Sequence, residues 1–198
     1  MKYLIAAACL VLGVPVAGLA ALPASAQTAS AQTASKADMG LSVGATIPEI
    51  SGTTQTGALA TFDLLKGEKG LVLAFVRSAD WCPFCKAQLK DLQTVAADLE
   101  KHGYHLVALS YDPVSTLKKF SDANHLGYTL LSDPDSKIID AFGVRNEAMR
   151  GKARFDGIPN PAIFVIGADG KVQAKLYEEG YKTRPPGALV VKTVKSLN

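Results

Sequence analysis

Two cysteines separated by two residues are the side chains of this sequence best suited to carry out chemistry. Cys82 and Cys85 lie in the stretch SADWCPFCKAQL at 78–89, and the one other cysteine, Cys9, lies in the apolar N-terminal segment. On one helical turn this spacing brings the two sulfurs together, so the pair can form and break a disulfide with little backbone movement. One thiolate can attack a disulfide of another molecule, and the second cysteine can resolve the mixed disulfide.

The cysteines fall where a buried strand passes into a helix. Gly70–Arg77, GLVLAFVR, is a continuous apolar run typical of a strand buried on both faces, and apolar residues recur at helical spacing from Pro83 to Lys101. Pro83 suits the first helical turn, where its missing N–H needs no partner. Because the start of a helix favours a thiolate, we predict Cys82 as the attacking thiolate and Cys85 as the resolving cysteine.

Two other interpretations of the cysteine pair remain open. A purely structural disulfide would close a very small loop, and such a loop restricts the unfolded chain little. A metal site needs more ligands than one CxxC supplies, and His102 and His105 lie at the far end of the predicted helix. A copper-binding or thiol-chaperone module without turnover is therefore the alternative from a different functional class.

The rest of the sequence predicts strands that alternate with helices. An opening hairpin is expected within 47–65, strands at 104–110, 128–131, 162–166 and 171–177, and helices at 112–126, 133–143 and 186–197. This alternation predicts an α/β fold in three layers, with a largely parallel sheet between helices. The loop at 145–160 contains four basic residues, which we interpret as solvated charge, the alternative being attraction of an anionic substrate: Arg145, Arg150, Lys152 and Arg154.

The N-terminal segment has the pattern of a secretory signal. Lys2 precedes the apolar run 4–22, and Ala24-Ser25-Ala26 predicts cleavage after Ala26. The sequence AQTAS occurs at 26–30 and again at 31–35, and residues 27–40 are expected to form a flexible tether, so the domain would span 41–198. The mature protein would then be periplasmic or secreted, where disulfides persist, and would have no further membrane segment.

Charge argues against two classes of partner. The chain has 21 basic and 18 acidic side chains, a formal net charge of +3, and loss of Lys2 with the signal would lower it by one. So small a charge does not indicate binding to nucleic acid or to an anionic membrane surface.

Four segments resemble the redoxin group of thioredoxin-fold proteins, which includes the AhpC/TSA (alkyl hydroperoxide reductase/thiol-specific antioxidant) family. They are WCPFC at 81–85, LVALSYDP at 106–113, LLSDPDSKIIDAFGV at 130–144 and PAIFVIGADGKV at 161–172. The resemblance runs from about residue 41 to 198 and implies a thioredoxin fold with a central mixed sheet, helices on both faces and an N-terminal hairpin extension. The first segment is similar to thioredoxin-like sites, and the third to peroxiredoxins of the bacterioferritin-comigratory type.

The two branches of this group differ at positions that can be compared with the sequence. A peroxiredoxin has a threonine three residues before its peroxidatic cysteine and an arginine on the strand that here begins at Ala162. Aligned on that pattern, Cys85 takes the peroxidatic position, Cys82 replaces the threonine and Pro161 replaces the arginine. A thioredoxin-fold reductase has a cis-proline facing the CxxC, and the resemblance implies that Pro161 is this residue.

These departures favour thiol-disulfide exchange as the function. A thiol peroxidase, with Cys85 peroxidatic and Cys82 resolving, is the alternative within the enzymes. Trp81 is expected to pack as a lid over the disulfide, and Arg77 either adds positive potential near the thiols or closes the strand end. No bound cofactor is expected, because the thiol pair itself carries the electrons. The expected partners are a protein or small-molecule thiol or disulfide, an external thiol donor and, in the alternative, a hydroperoxide.

Overall fold

A computed structural model describes residues 39–197. The predicted signal peptide at 1–26 and nearly all of the predicted tether lie outside the described residues. In chain order the elements are β1 (Ser51–Thr54), β2 (Leu59–Thr61), α1 (Phe62–Leu65), β3 (Gly70–Phe75), α2 (Pro83–Lys101), β4 (Tyr104–Ser110), α3 (Val114–Asn124), β5 (Thr129–Ser132), α4 (Lys137–Ala141), β6 (Ala162–Gly167), β7 (Val172–Leu176) and α5 (Gly187–Ser196). Two short 3₁₀ helices, Glu147–Met149 and Ala153–Phe155, lie in the loop between α4 and β6.

The seven strands form one mixed sheet in the order β2-β1-β5-β4-β3-β6-β7. The thioredoxin fold with a mixed sheet is confirmed, whereas the expectation of a largely parallel sheet is wrong. Parallel pairing is confined to β3 with β4 and β4 with β5, which are joined by the crossover helices α2 and α3. Residues 142–161 connect α4 to β6, which starts beside the end of β3 and runs antiparallel to it.

Helices cover both faces of the sheet, as the three-layer prediction required. Alternate residues of β3 point to opposite faces, with Val72 and Ala74 in one apolar core and Leu71, Leu73 and Phe75 in the other. The first core is completed by α2, α3 and α5, and the second by α1 and α4. Because β3 is buried on both sides, its sequence is apolar throughout, which explains why it was recognisable as a strand.

A buried carboxylate determines where α4 begins. The Asp133 side chain accepts hydrogen bonds from the backbone N–H groups of Lys137, Ile138 and Ile139, at 2.9 Å each. These are N–H groups of a first turn that have no partner within the helix. The helix therefore starts at Lys137, four residues later than the position that Asp133-Pro134 indicated in the sequence.

Five chain segments meet at one end of the sheet, here called the site edge. Strands β3, β4 and β5 run parallel and finish there, while β6, antiparallel to β3, begins there. Since β7 is antiparallel to β6, its C-terminal end also lies at the site edge. The loops that follow β3, β4 and β7 and the residues that precede β6 are thus brought together.

Within residues 39–197, no helix is long and apolar enough to cross a bilayer.

Candidate active site

Cys82 and Cys85 form a disulfide at the start of α2, on the site edge. Cys82 is the N-cap residue, Pro83 is the first helical residue, and the Cys85 backbone N–H donates to Cys82 Sγ at 3.2 Å. This amide is one of the N–H groups that a helix leaves free in its first turn. It also lies at the positive end of the helix dipole, so it stabilises negative charge on Cys82 when the disulfide is reduced.

The disulfide is buried. Cys82 is 1% exposed and Cys85 is 0% exposed, and both belong to the core that α2 and α5 share. A disulfide on the surface of a folded protein cannot reach either sulfur unless the side chains above the pair move aside. This burial, which the sequence did not indicate, means that any reactant reaches the sulfurs only when the covering side chains move aside.

Arg184 is a site residue that the sequence analysis missed. Its Nη2 lies 3.7 Å from Cys85 Sγ, and its Nε donates to Gln88 Oε1 at 3.0 Å. Further bonds from Nη1 to the carbonyl oxygens of Tyr181 and Thr183 fix the guanidinium against its own loop. Burial, with a smaller contribution from the charge of Arg77, lowers the pKa of Arg184 to about 10. The guanidinium is still protonated at neutral pH and stabilises a thiolate on Cys85.

Arg77 is a second cation at the site edge and is 8% exposed. Its guanidinium carbon lies 4.9 Å from the centre of the Trp81 ring and 4.4 Å from that of Tyr181, so the group is held between two aromatic faces. Burial lowers the pKa of Arg77, an effect that the nearby tyrosines partly oppose. Its Nε is buried without any hydrogen-bond partner in the described part of the protein. Of the two interpretations of Arg77, its position therefore supports added positive potential.

Trp81 is held by contacts on its edge and on its face. Its indole N–H donates to the Tyr111 hydroxyl at 2.9 Å, and this hydroxyl donates to the Arg154 carbonyl oxygen at 2.6 Å. The ring meets that of Phe155 edge to face, with centres 5.0 Å apart, and packs against the core that contains both cysteines. These contacts are those of the packing role expected for Trp81.

Asp112 fixes the loop that leads into the cysteine pair. This carboxylate, 4% exposed, accepts from the Ser78 hydroxyl at 2.9 Å, the Ala79 backbone N–H at 2.7 Å and the Ser110 hydroxyl at 2.8 Å. Burial raises the pKa of Asp112, and the three hydrogen bonds oppose the shift. Only Asp112-Pro113 as a helix start was visible in the sequence, because Ser78 and Ala79 lie more than thirty positions earlier, in the loop after β3.

Pro161 lies at the site edge, but the bond before it is trans. It directly precedes Ala162, which pairs with Phe75 at the end of β3, and it lines a cavity of about 180 Å³ together with Tyr181. Since no peptide bond in residues 39–197 is cis, the expectation of a cis Asn160–Pro161 bond is wrong. The Asn160 backbone N–H donates to the Val144 carbonyl oxygen at 2.7 Å, and β6 begins two residues later at Ala162.

The basic residues of the loop before β6 have separate roles. Arg145 pairs with Asp140 and Asp156, and Arg150 pairs with Glu147. Arg154 is the exception, because its guanidinium lies over the rings of Phe155 and Trp81, at 5.0 and 5.9 Å. Arg145 and Arg150 are therefore neutralised by carboxylates of the same region and are not available to attract an anionic substrate. Arg154 instead packs against Trp81.

An open groove lies between the first turns of α2 and the segment that precedes α5. It has a volume of about 260 Å³ and is lined by Phe84, Ala87, Gln88, Asp91, Lys182, Arg184, Pro185 and Pro186. Phe84, from within the CxxC motif, packs edge to face against Tyr181 with ring centres 5.9 Å apart.

The part of the chain that the structure describes contains no group of three or more His, Cys, Asp or Glu side chains that could hold a metal ion.

Comparison with known proteins places these features in a family. The family model described as "AhpC/TSA family" matches residues 43–175. The curated "Peroxiredoxin Bcp" of Escherichia coli K12 is 30% identical over 133 residues, which cover 67% of this chain and 83% of that protein. A "Putative peroxiredoxin bcp" of Coxiella burnetii is 28% identical over 154 residues, 76% of this chain and 100% of that protein.

Solved structures give the same result for the fold. "Peroxidoxin BcpB" from Mycobacterium tuberculosis superimposes with a TM-score of 0.69 at 24% identity, covering 80% of this chain and 99% of that one. A "peroxiredoxin-like protein" from Aquifex aeolicus has a TM-score of 0.68 at 26% identity, covering 80% and 89%. The resemblance to the redoxin group is thus confirmed. Because the relatives are peroxiredoxins, the comparisons favour the peroxidase alternative over thiol-disulfide exchange.

Proposed function

Because this chain belongs to the AhpC/TSA family, we propose that it is a thiol-dependent peroxidase in which Cys85 attacks the peroxide and Cys82 resolves the product. The position of Arg184 against Cys85 Sγ is the observation that carries this assignment. A peroxidatic cysteine reacts as a thiolate, and a guanidinium at 3.7 Å stabilises that thiolate and the negative charge that moves onto the peroxide oxygens.

The reaction balances with the residues present and one external donor. The Cys85 thiolate attacks one peroxide oxygen, the O–O bond breaks, and the leaving oxygen takes a proton to give water or an alcohol. The Cys85 sulfenic acid is then attacked by Cys82, which releases water and forms the Cys82–Cys85 disulfide. An external thiol returns two electrons and restores both cysteines.

Arg184 can replace the arginine that peroxiredoxins have at the position of Pro161. The alignment places Pro161 where that family has its arginine, and a proline cannot donate a hydrogen bond. Arg184 reaches the same sulfur from the loop after β7, and Arg77 adds a second positive charge. The positive potential that stabilises a peroxidatic thiolate is therefore present, but it comes from the loops after β3 and β7 and not from the start of β6.

Burial of the sulfurs also supports a small oxidant. With Cys82 and Cys85 at 1% and 0% exposure, hydrogen peroxide or a slim alkyl hydroperoxide needs far less movement of the covering side chains than a folded protein needs. The preference for disulfide exchange in the sequence analysis rested on the missing threonine and arginine and on a cis-proline at Pro161, and the bond before Pro161 is trans. Exchange with protein disulfides therefore loses one of its supports.

One observation still favours the second candidate, thiol-disulfide exchange through Cys82. The Cys85 N–H bonded to Cys82 Sγ would stabilise a thiolate at Cys82. The two functions thus assign the attacking role to different cysteines, which allows a direct experiment.

The test is the second-order rate of peroxide consumption by the pre-reduced protein and by its Cys82→Ser and Cys85→Ser variants. For a peroxidase, fast consumption and a trappable sulfenic acid persist in Cys82→Ser and disappear in Cys85→Ser. Slow consumption in all three proteins, together with rapid mixed-disulfide formation in Cys85→Ser, would replace the peroxidase with disulfide exchange through Cys82. Stoichiometric copper on the reduced protein, without either activity, would identify the metal-binding alternative.

The compartment is also a proposal, and it rests on the sequence. The basic start, apolar run and Ala24-Ser25-Ala26 pattern support export to the periplasm or the medium. N-terminal sequencing of the protein from a cell fraction outside the cytoplasm would test it, and the expected first residue is Gln27.

A further inference from the structure

The segment that carries Arg184, residues 177–186, joins β7 to α5 and contains no helix or strand. Its middle part, 179–183, is exposed. Arg184 is nevertheless held with Nη2 at 3.7 Å from Cys85 Sγ, and this distance decides how strongly the guanidinium stabilises a thiolate. Because an exposed stretch with few contacts opens at little cost in free energy, some side chain must hold this segment in place.

The ring of Tyr181 supplies such a contact, although the residue is 44% exposed. The Arg77 guanidinium carbon lies 4.4 Å from the centre of this ring, and the Phe84 ring packs against it edge to face at 5.9 Å. Arg77 also lies over the ring of Trp81, at 4.9 Å. We call Trp81, Arg77, Tyr181 and Phe84 the clamp. Since Trp81 and Phe84 belong to the cysteine motif, the clamp ties the segment after β7 to the start of α2.

Hydrogen bonds from both ends of the Arg184 guanidinium fix its orientation. Nε donates to Gln88 Oε1 at 3.0 Å, and Nη1 donates to the carbonyl oxygens of Tyr181 and Thr183. With the Gln88 bond alone the group can still pivot about Nε. The bonds from Nη1 remove this freedom, and both carbonyls belong to the exposed stretch that the clamp holds. The backbone position of Tyr181 therefore decides where Nη2 points.

The clamp also opposes a repulsion between two cations. The charge of Arg77 contributes to the lowered pKa of Arg184, although burial contributes more. Neither arginine pairs with a carboxylate among the described residues 39–197. The ring face of Tyr181 attracts the Arg77 cation, while the carbonyl oxygen of the same residue accepts from Arg184. One residue thus holds two groups that would otherwise move apart.

We propose that Tyr181 is a positioning residue for the reactive thiolate: its ring, held by Arg77 and Phe84, keeps Arg184 against Cys85 Sγ. Tyr181 acts on the sulfur only through Arg184. The inference deepens the proposed peroxidase site and rests on the assignment of Arg184 there. Its first consequence, a lowered pKa of the Cys85 thiol, is measured without peroxide.

The test measures the pKa of the Cys85 thiol in the full-length chain with Cys9→Ser and Cys82→Ser, in which Cys85 is the only thiol left. Thiolate formation is followed by ultraviolet absorbance across a pH series, with the corresponding Cys85→Ser protein as the blank. We expect Tyr181→Leu to raise this pKa by on the order of one unit, because the guanidinium is no longer held at the sulfur. Tyr181→Phe keeps the ring and should leave the pKa unchanged.

Arg184→Gln, alone and combined with Tyr181→Leu, shows whether the two residues act together. We expect the double variant to have the thiol pKa of Arg184→Gln alone, since Tyr181 has no other way to change it once the guanidinium is absent. Additive shifts in the double variant would overturn the positioning role, as would an unchanged pKa in Tyr181→Leu.

Tyr177→Leu is the matched control, because Tyr177 lies four residues earlier in the same segment and packs against the core on the other face of the sheet. It should leave the thiol pKa unchanged, and a shift equal to that of Tyr181→Leu would contradict the proposal. Urea unfolding checks that each variant is folded. If Tyr181→Leu does not fold, Phe84→Leu removes another ring of the clamp, and an unchanged thiol pKa in that variant would equally overturn the proposal.

Peroxide consumption by the pre-reduced wild-type protein and by Tyr181→Leu separates this inference from the proposed function. Fast consumption that Tyr181→Leu does not slow would reject the positioning role alone. A raised thiol pKa in Tyr181→Leu, without peroxide consumption by the wild-type protein, would reject the peroxidase alone.

Discussion

Two loops at the site edge each contain a half-buried arginine. One arginine is bonded to carboxylates, and the other is bonded to neutral groups. In the loop before β6, Arg145 donates to both Asp140 and Asp156, and its hydrogen bond with Asp140 raises the pKa of Arg145. In the segment after β7, Arg184 bonds to the neutral side chain of Gln88, to backbone carbonyls and to a cysteine sulfur, and burial lowers its pKa. Arg145 has its counter-ions within its own loop and α4, whereas Arg184 pairs with no carboxylate among the described residues 39–197.

The same contrast holds for the acidic residues. Asp140 and Asp156 are bonded by Arg145, while Asp112 is held by two hydroxyls and an amide and burial raises its pKa. Burying a charge without an opposite charge lowers stability unless hydrogen bonds compensate. Arg184, against Cys85 Sγ, and Asp112, behind the loop into Cys82, have no ion-pair partner in residues 39–197. Such unpaired groups are typical of a reactive region, whereas the ion pairs of Arg145 stabilise its loop.

Arg184→Gln should give the largest effect. We expect the rate constant of the pre-reduced protein with hydrogen peroxide to fall on the order of 10²-fold, because the thiolate of Cys85 and the transition state lose a donor. The measurement is single-turnover peroxide consumption across a pH series, in which the apparent pKa of the reactive thiol should rise. Arg145→Gln serves as the control and should retain the wild-type rate. An equal fall of the rate constant in both variants would contradict a specific role of Arg184 in stabilising the Cys85 thiolate.

Asp112→Asn should lower the free energy of unfolding by about 2 kcal/mol near pH 4, because an amide cannot accept all three hydrogen bonds. The folded protein binds the Asp112 proton more tightly than the unfolded chain, whose pKa lies near 3.8. Stability from this group is therefore fully present below that pH and is lost as pH rises towards the raised folded pKa. Urea unfolding of both proteins from pH 4 to pH 7 should show a difference that shrinks as pH rises. A growing difference would contradict the raised pKa.

Arg145→Gln should give the smallest effect, a loss of about 1 kcal/mol in the free energy of unfolding. Its partners Asp140 and Asp156 are 47% and 42% exposed, so solvent screens the ion pairs and part of their energy. Urea unfolding at low and at high salt measures the loss, which should be smaller at high salt. A salt-independent loss would mean that packing of the arginine side chain, and not its charge, stabilises this loop.

Local sequence signals were sufficient for most of the fold. The apolar run of β3, the helical periodicity of α2 and the two strands predicted at 162–166 and 171–177 are each patterns within a short segment, and the observed bounds follow them closely. The parallel character of the sheet was overestimated for a specific reason. The direction of β6 depends on how residues 142–161 return the chain to the end of β3, and no local periodicity reports the pairing of Ala162 with Phe75.

The sequence alone determined that a cysteine pair with the spacing of a disulfide lies at the junction of a buried strand and a helix, because spacing and helix geometry are properties of a short segment. Tertiary structure decided which residues surround that pair. Arg184 comes from a loop 99 residues after Cys85, Asp112 comes from the loop after the neighbouring strand β4, and the burial of both sulfurs depends on the packing of α2 with α5. Charge and accessibility at a site are sums over residues that are distant in the chain, and only the folded arrangement brings these residues within reach of one another.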